Sequence, residues 1–316
     1  EVIAPQHGHV IVGDRVEEFP AGHVWRSDRG FERYYEIPAA APATWTIADA
    51  LAALRETMER AVVKRLRSDV PFGALLSGGL DSSIIAALAK KHVPDLKTFA
   101  VGLPGSADLV AARRVAAHLG THPHELVLEP EAIAADLPEI LFHLESFDKD
   151  LVRSAVPCWF VARFAAQHIK VVLTGEGDDE LYAGYTYYRD IADPDALHDE
   201  LRRSIASMHN INLQRVDRMA MAHGLEARVP FLDTESIALG LSLPVEWKLK
   251  EVARNGTTKR IEKWILRKAF EDLLPPEIVW RDKSQFDQGS GMDMFLTRLV
   301  PEVAGASDKG AGPARS

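Results

Sequence analysis

The sequence predicts an α/β fold: a mainly parallel sheet with helices on both faces, a helical C-terminal lobe, and a small β segment in front. Three observations carry this. Short apolar runs alternate with amphipathic helical stretches between residues 46 and 174, as parallel strands joined by crossover helices require. From Asp195 onward the pattern is mainly helical. Before residue 45, turn residues interrupt short β-like runs and a Pro- and Ala-rich stretch follows.

The elements follow in order. Val10–Ile37 reads as short strands, with turns at Gly13-Asp14 and at Ser27-Asp28-Arg29-Gly30. Pro38 to Thr44 reads as a linker. Thr46–Ser68 is a helix with Ile47, Leu51, Leu54, Met58, Val62 and Leu66 at helical spacing and a Thr46/Asp49 capping box. Then come a strand at Phe72–Leu76, a helix at Ser82–Lys91, a strand at Thr98–Val101 and a helix at Ala107–Leu119 stopped by Gly120. A strand at Glu125–Leu128, helices at Glu131–Leu144 and Val156–Gln167, and a strand at Lys170–Thr174 complete the alternation. Gly256–Lys268 reads as a basic helix, and Gly305–Ser316 as a disordered tail. The expected divisions are 1–45, 46–304 and 305–316.

Composition narrows the function. The chain has 316 residues, 47% hydrophobic and 26% charged, which excludes general disorder and a membrane-embedded bundle. Lys and Arg number 37 against 46 Asp and Glu, a formal net charge of −9, so neither nucleic acid nor an anionic membrane is an expected partner. One cysteine, Cys158, forbids an intramolecular disulfide and a cysteine-rich zinc site, and a cytoplasmic location is expected. It reads as a core or pocket thiol, with nucleophile as the lesser reading. The histidine pairs His7/His9 and His122/His124 lack metal-site spacing. The chain opens on Glu1, as a processed or excised chain would.

Two turns carry chemistry. Ser77-Gly78-Gly79-Leu80-Asp81-Ser82-Ser83 links an apolar strand to a helix. Its glycines let the backbone approach an anion, its serines add donors, and the helix start adds N–H groups and a positive dipole end. It has no Walker A pattern, and Asp81 inside an anion cradle suits a bridging Mg²⁺. The plainer alternative is a strand–helix turn with a serine cap. Thr174-Gly175-Glu176-Gly177-Asp178-Asp179-Glu180 also follows a strand, and its crowded carboxylates call for a cation or a proton. The alternative there is a solvated acidic loop. Both turns lie at carboxyl ends of strands, so they could face one crevice.

On these residues the chain resembles the PP-loop ATP-pyrophosphatase superfamily and, within it, the synthetase domain of class B asparagine synthetases. The supporting stretches are Val70–Gly73 leading into Ser77–Ser83, Phe99–Ser106, Leu173–Glu180, Glu226–Asp233 and Glu262–Arg267, in the family's order over roughly residues 46–300. The resemblance implies that Ser77, Gly78, Gly79, Asp81, Ser82 and Ser83 hold the ATP triphosphate. It implies that Leu75, Val101, Thr174 and Gly175 line the adenosine pocket, and that Asp81 and Asp179 hold Mg²⁺. Glu176 and Lys263 match its catalytic residues, and Asp150, Arg153 and Asp233 fall in substrate-binding stretches. The implied reaction is ATP-dependent amide formation through an acyl-adenylate, releasing AMP and pyrophosphate.

The chain departs from the family in two places. The sequence opens on Glu1 where the family's N-terminal glutaminase domain would begin with its cysteine nucleophile. Phe19–Trp25 through Tyr34-Tyr35 resembles that domain's last strands, as expected either of a piece of a longer chain or of a protein that draws on free or partner-supplied ammonia. Ammonia, free or from a separate glutaminase domain or subunit, is then the expected nitrogen source, and a homodimer is one open arrangement. Asp150 and Leu151 stand where the compared synthetases carry hydroxyl residues, which leaves the acid open: aspartate or a related amino acid. Arg153 could grip its carboxylate and Asp150 its ammonium. Two alternatives remain: an amide or lactam ligase like the β-lactam synthetases, whose tyrosine–glutamate pair is not identifiable in the sequence, and a non-catalytic nucleotide-binding subunit.

Overall fold

The computed structural model describes residues 18–39, 44–254, 257–282 and 289–291. The strand expected at Val10–Val12, the middle of the linker and the tail lie outside the described residues. Contacts divide the chain into two compact units between Pro38 and Ala39. In the first, β1 (His23–Arg26) and β2 (Gly30–Arg33) form an antiparallel hairpin with Trp25 opposite Phe31. The turn falls at Ser27–Gly30, as expected.

The second unit is built around five parallel strands. It runs α1 (Ile47–Arg65), β3 (Phe72–Leu75), α2 (Leu80–His92), β4 (Lys97–Gly102), α3 (Ala107–Leu119), β5 (His122–Val127), α4 (Pro130–Leu144), α5 (Lys149–Ala165), β6 (Val171–Leu173), α6 (Asp178–Leu181), α7 (Pro194–Ser207), α8 (Asn212–Met221) and β7 (Glu226–Arg228). The strand order is β5-β4-β3-β6-β7, with every neighbouring pair parallel. Phe99, Val101 and Val172 point to one face and pack with Val156, Trp159 and Phe160 of α5 and with residues of α4 and α8. Each such large side chain, fully buried, contributes about 1.5–3 kcal/mol. Strand side chains alternate between faces, and α1, α2 and α3 pack together along β3 and β4 on the other.

The C-terminal lobe holds α9 (Thr234–Ser242), α10 (Val245–Lys248), the antiparallel pair β8 (Leu249–Arg254) and β9 (Thr257–Glu262), α11 (Trp264–Phe270) and α12 (Pro276–Val279). Tyr188, Leu197, Leu201, Val245 and Leu249 form a small core there. Among the described residues no helix is long and apolar enough to cross a membrane.

Three elements differ from expectation. The basic helix of Gly256–Lys268 is a strand up to Glu262 and a helix only from Trp264, because β9 satisfies its backbone against β8. Helix α5 begins at Lys149, well before Val156: the Asp148 carboxylate caps it by accepting from the amides of Asp150 and Leu151 at 3.1 and 2.9 Å. The sheet also gains β7, three residues long and too short to announce itself by periodicity.

Candidate active site

β3 and β6 are parallel neighbours, with Ala74 opposite Leu173. Their carboxyl ends release two loops side by side. One leads through Leu76–Gly79 into α2, the other through Thr174–Gly177 into α6. The loops touch: a Cβ on Gly175 would lie 3.0 Å from the Asp81 Cβ and 3.1 Å from the Ser82 nitrogen. Gly78 is held at φ +72° with α3 close behind it, and a Cβ there would fall 2.5 Å from Ala111 and Ala112. Neither that conformation nor that space admits a larger residue. The Ser77 amide donates to Ser82 Oγ at 3.2 Å and the Gly79 amide to Ser77 Oγ at 3.3 Å. Gly79 caps α2 without a side-chain acceptor, so the helix start offers its amides and dipole to an anion.

Lys263 closes the cluster from the C-terminal lobe. Its ammonium lies 2.6 Å from Asp81 Oδ1 and 2.6 Å from Asp179 Oδ1, and it also donates to Asp178 Oδ2. Burial pushes this ammonium down, but Asp178, Asp179 and Asp81 outweigh it and hold the pKa well above the ordinary lysine value. Asp178 is pushed well above the usual carboxylate range by burial and then by Asp81, against the pull of Lys263. Oxygens of Asp81, Asp178 and Asp179 all lie within 4.8 Å of one another. Hard carboxylate oxygens at that spacing fit Mg²⁺.

Beside this cluster, Arg215 of α8 donates to Glu176 Oε1 at 2.9 Å. Burial alone would lower the guanidinium, but Glu176 and then Cys158 raise its pKa on balance. Burial pushes the Cys158 thiol up to about 11, which disfavours the thiolate at neutral pH. Further along, the Tyr185 hydroxyl donates to Glu180 Oε1 at 2.6 Å, and Asn212 Nδ2 donates to the same oxygen at 2.5 Å. Glu180 Oε2 is buried without a hydrogen-bond partner. Burial, with Asp179 adding, raises Glu180 to about 7.

These groups line one cavity of about 770 Å³, a size that suits a nucleotide with a small acid. Its wall includes Leu75, Ser77, Gly79, Asp81, Ser82, Val101, Asp150, Thr174, Gly175, Glu176, Asp179 and Lys263. Four of the expected residues are not in that wall. Gly78 is turned toward α3. The Ser83 hydroxyl is spent on the Gly79 carbonyl at 2.6 Å. Arg153 lies off the wall-facing side of α5, which presents Asp150, Ser154, Cys158 and Ala162 to the cavity. Asp233 caps α9 by accepting from the Glu235 amide at 3.1 Å and pairs with Arg65 at 2.8 Å and Lys64 at 3.2 Å. In this position it ties α9 to α1 and lies outside the cavity wall. Conversely, Arg215, Tyr185 and Asn212 are brought into the wall without having been singled out in the sequence, whereas Asp178 and Glu180 are put to a use the acidic run did not specify. Asp178 was visible in the acidic run; Arg215 and Asn212 sit in a helix with no motif to mark them.

Comparison with known proteins identifies the family. Residues 53–194 and 189–309 match the family model described as asparagine synthase. The chain is 39% identical over 289 residues to glutamine-hydrolyzing asparagine synthetase 3 of Arabidopsis thaliana, covering 86% of this chain and 49% of that protein. It is 40% identical over 292 residues to asparagine synthetase 2 of the same plant, with 86% and 49% covered. It is 39% identical over 294 residues to the Triphysaria versicolor enzyme, with 88% and 50% covered. The chain thus spans about half the length of the curated relatives it matches. Among solved structures, an NH3-dependent NAD synthetase from Campylobacter jejuni aligns at TM-score 0.33 and 17% identity over 54% of this chain and 77% of that one.

Proposed function

The chain belongs to the asparagine synthase family, and from that premise we propose that it forms an amide from an amino-acid carboxylate and ammonia, activating the acid with ATP as an acyl-adenylate. One observation carries the reading: the serine–glycine loop and the acidic turn meet on one cavity wall, with Asp81, Asp179 and Lys263 in mutual contact. In the proposed reaction a carboxylate oxygen bonds to the α-phosphorus and pyrophosphate leaves. The nitrogen of ammonia then bonds to the acyl carbon, AMP leaves, and Glu176 accepts the excess proton from nitrogen. Such a placed base contributes about 10²–10⁴-fold. Mg²⁺, when bound by Asp81 and Asp179 with Asp178, would neutralise charge on the phosphates. The loop amides add fixed positive charge that needs no rearrangement during reaction, and Lys263 offsets part of the carboxylate charge beside them. Arg215 holds Glu176 in place. In this reading it also replaces Arg153 as the guanidinium within reach of the acid.

A lactam-forming reading draws on the Tyr185–Glu180 pair in the cavity wall. Burial, and then Glu180 and Asp179, push the Tyr185 phenol well above its ordinary value. At neutral pH that phenol donates its hydrogen to Glu180 Oε1 at 2.6 Å. The deciding experiment supplies Mg-ATP, an ammonium salt and a panel of amino acids. AMP, pyrophosphate and amide in equal amounts are expected, with aspartate-like acids best. ADP with orthophosphate would overturn the adenylate route.

A further inference from the structure

Lys263 is the cation expected beside the phosphates, yet its ammonium is enclosed by Asp81, Asp178 and Asp179. With those carboxylates ionised the cluster carries −3 + 1 = −2, and a bound divalent ion only brings it to neutrality. A departing pyrophosphate, still strongly anionic, needs positive charge from another part of the wall. The described arginines of the wall are Arg203, Arg215, Arg267 and Arg281. Arg203 forms a fork with Glu200 on its own helix, and Arg215 serves Glu176. Arg267 is buried and directs its donors to Glu262 and to the carbonyls of Val279 and Arg281.

Arg281 differs by position. Its Nη1 reaches the carbonyl of Gly78, in the serine–glycine loop itself, at 3.5 Å. Its Nη2 donates to Asp108 Oδ1 at 3.0 Å, and Asp108 is buried in the first turn of α3. One edge of the guanidinium is anchored, then, while the residue lines the cavity beside the loop. A planar fork held this way can offer its other donors to phosphate oxygens. We infer that Arg281 binds the β,γ-phosphate end of ATP and the pyrophosphate it becomes, and that Asp108 is its positioning residue. This rests on the ATP-dependent reading above.

The test is equilibrium binding by calorimetry, with Mg²⁺ present and no acid or nitrogen donor, using ATP, pyrophosphate and AMP as separate probes. Arg281→Gln should weaken pyrophosphate and ATP by roughly tenfold or more and leave AMP within about twofold, since AMP lacks the distal phosphates. Arg281→Lys keeps a point charge without the fork and should fall between. Asp108→Asn should weaken pyrophosphate and spare AMP. Equal losses for AMP and pyrophosphate in Arg281→Lys would show a structural role and overturn the inference, as would wild-type pyrophosphate affinity in Arg281→Gln. A wild-type protein that binds none of the three probes would instead overturn the nucleotide reading itself.

Discussion

Glu176 and Arg215 make one ion pair, but only the carboxylate is asked to take a proton. Glu176→Gln keeps the shape and a carbonyl acceptor for Arg215 while removing the base. ATP binding should stay within about twofold of wild type, and amide formation should fall about 10²–10⁴-fold. Unchanged turnover would remove Glu176 from the mechanism. Cys158 gives a prediction with a definite sign. With the thiol near 11, only about one molecule in a thousand carries thiolate at pH 8. Modification by a soluble thiol reagent should be slow at pH 8 and keep rising with pH beyond 10, whereas an ordinary thiol levels off nearer 9. An early plateau would mean that the group is more exposed and more acidic than the cavity implies. The residues that could be read in advance, Asp81, Glu176, Asp179 and Lys263, lie next to glycine turns or in dense charge runs that few other chemistries need. Arg153 falls outside the wall because sequence gives identity without phase. At 100° per residue, Asp150, Ser154, Cys158 and Ala162 share one arc of α5, and Arg153 lies about 120° from its middle.

Among the elements, α9 shows what the Glu226–Asp233 stretch does. Asp233 caps it and ties it to α1 through Arg65 and Lys64. Burial would raise this carboxyl, but the bonds from Arg65, the Glu235 amide and Lys64 hold it below its ordinary value. Its contribution to stability is therefore present above the unfolded carboxyl value near 4 and lost as pH falls through the lower folded one. Asp233→Asn keeps an acceptor for the cap but loses the charge pair, and should cost about 1–3 kcal/mol and flatten the acid limb of the stability profile. Asp233→Ala also loses the cap and should cost about 1 kcal/mol more. Both should bind ATP as wild type does, and a specific loss of substrate affinity in Asp233→Asn would return this residue to the site. The parallel sheet and most of its helices could be read because strand and helix alternate with clear periods. β9 could not, because Thr257–Lys268 looks like one basic helical run, although Asn255-Gly256 just before it is a strong hairpin signal. The start of α5 is marked in the sequence only by Asp148, whose cap outweighs the lack of an apolar period before Val156.

Over the whole second unit, the Lys263 cluster joins parts of the chain that no local pattern connects. Asp81 belongs to α2, Asp178 and Asp179 to α6, and Lys263 to the break between β9 and α11, where the backbone takes φ +55°. A non-glycine residue rarely adopts that conformation, and here the Lys263 amide donates to the Tyr182 carbonyl at 3.1 Å while its ammonium meets the three carboxylates. Periodicity foreshadows the sheet and spacing the motifs, whereas only the family resemblance, and no local pattern, marks Lys263 for the site. Lys263→Met should leave carboxylates that are 3%, 16% and 19% exposed without their cation. Removing one partner of a buried pair costs about 3–5 kcal/mol, or roughly 6–20 °C in Tm for a unit of this size. The same variant tests the metal proposal. The ammonium and a divalent ion compete for the same oxygens, so the lysine-free cluster should bind Mg²⁺ more tightly than wild type. Millimolar Mg²⁺ should then raise the Tm of Lys263→Met more than that of wild type, while NaCl at equal ionic strength should not. Equal responses to the two salts would mean that these oxygens answer only to bulk ionic strength and do not form a divalent site.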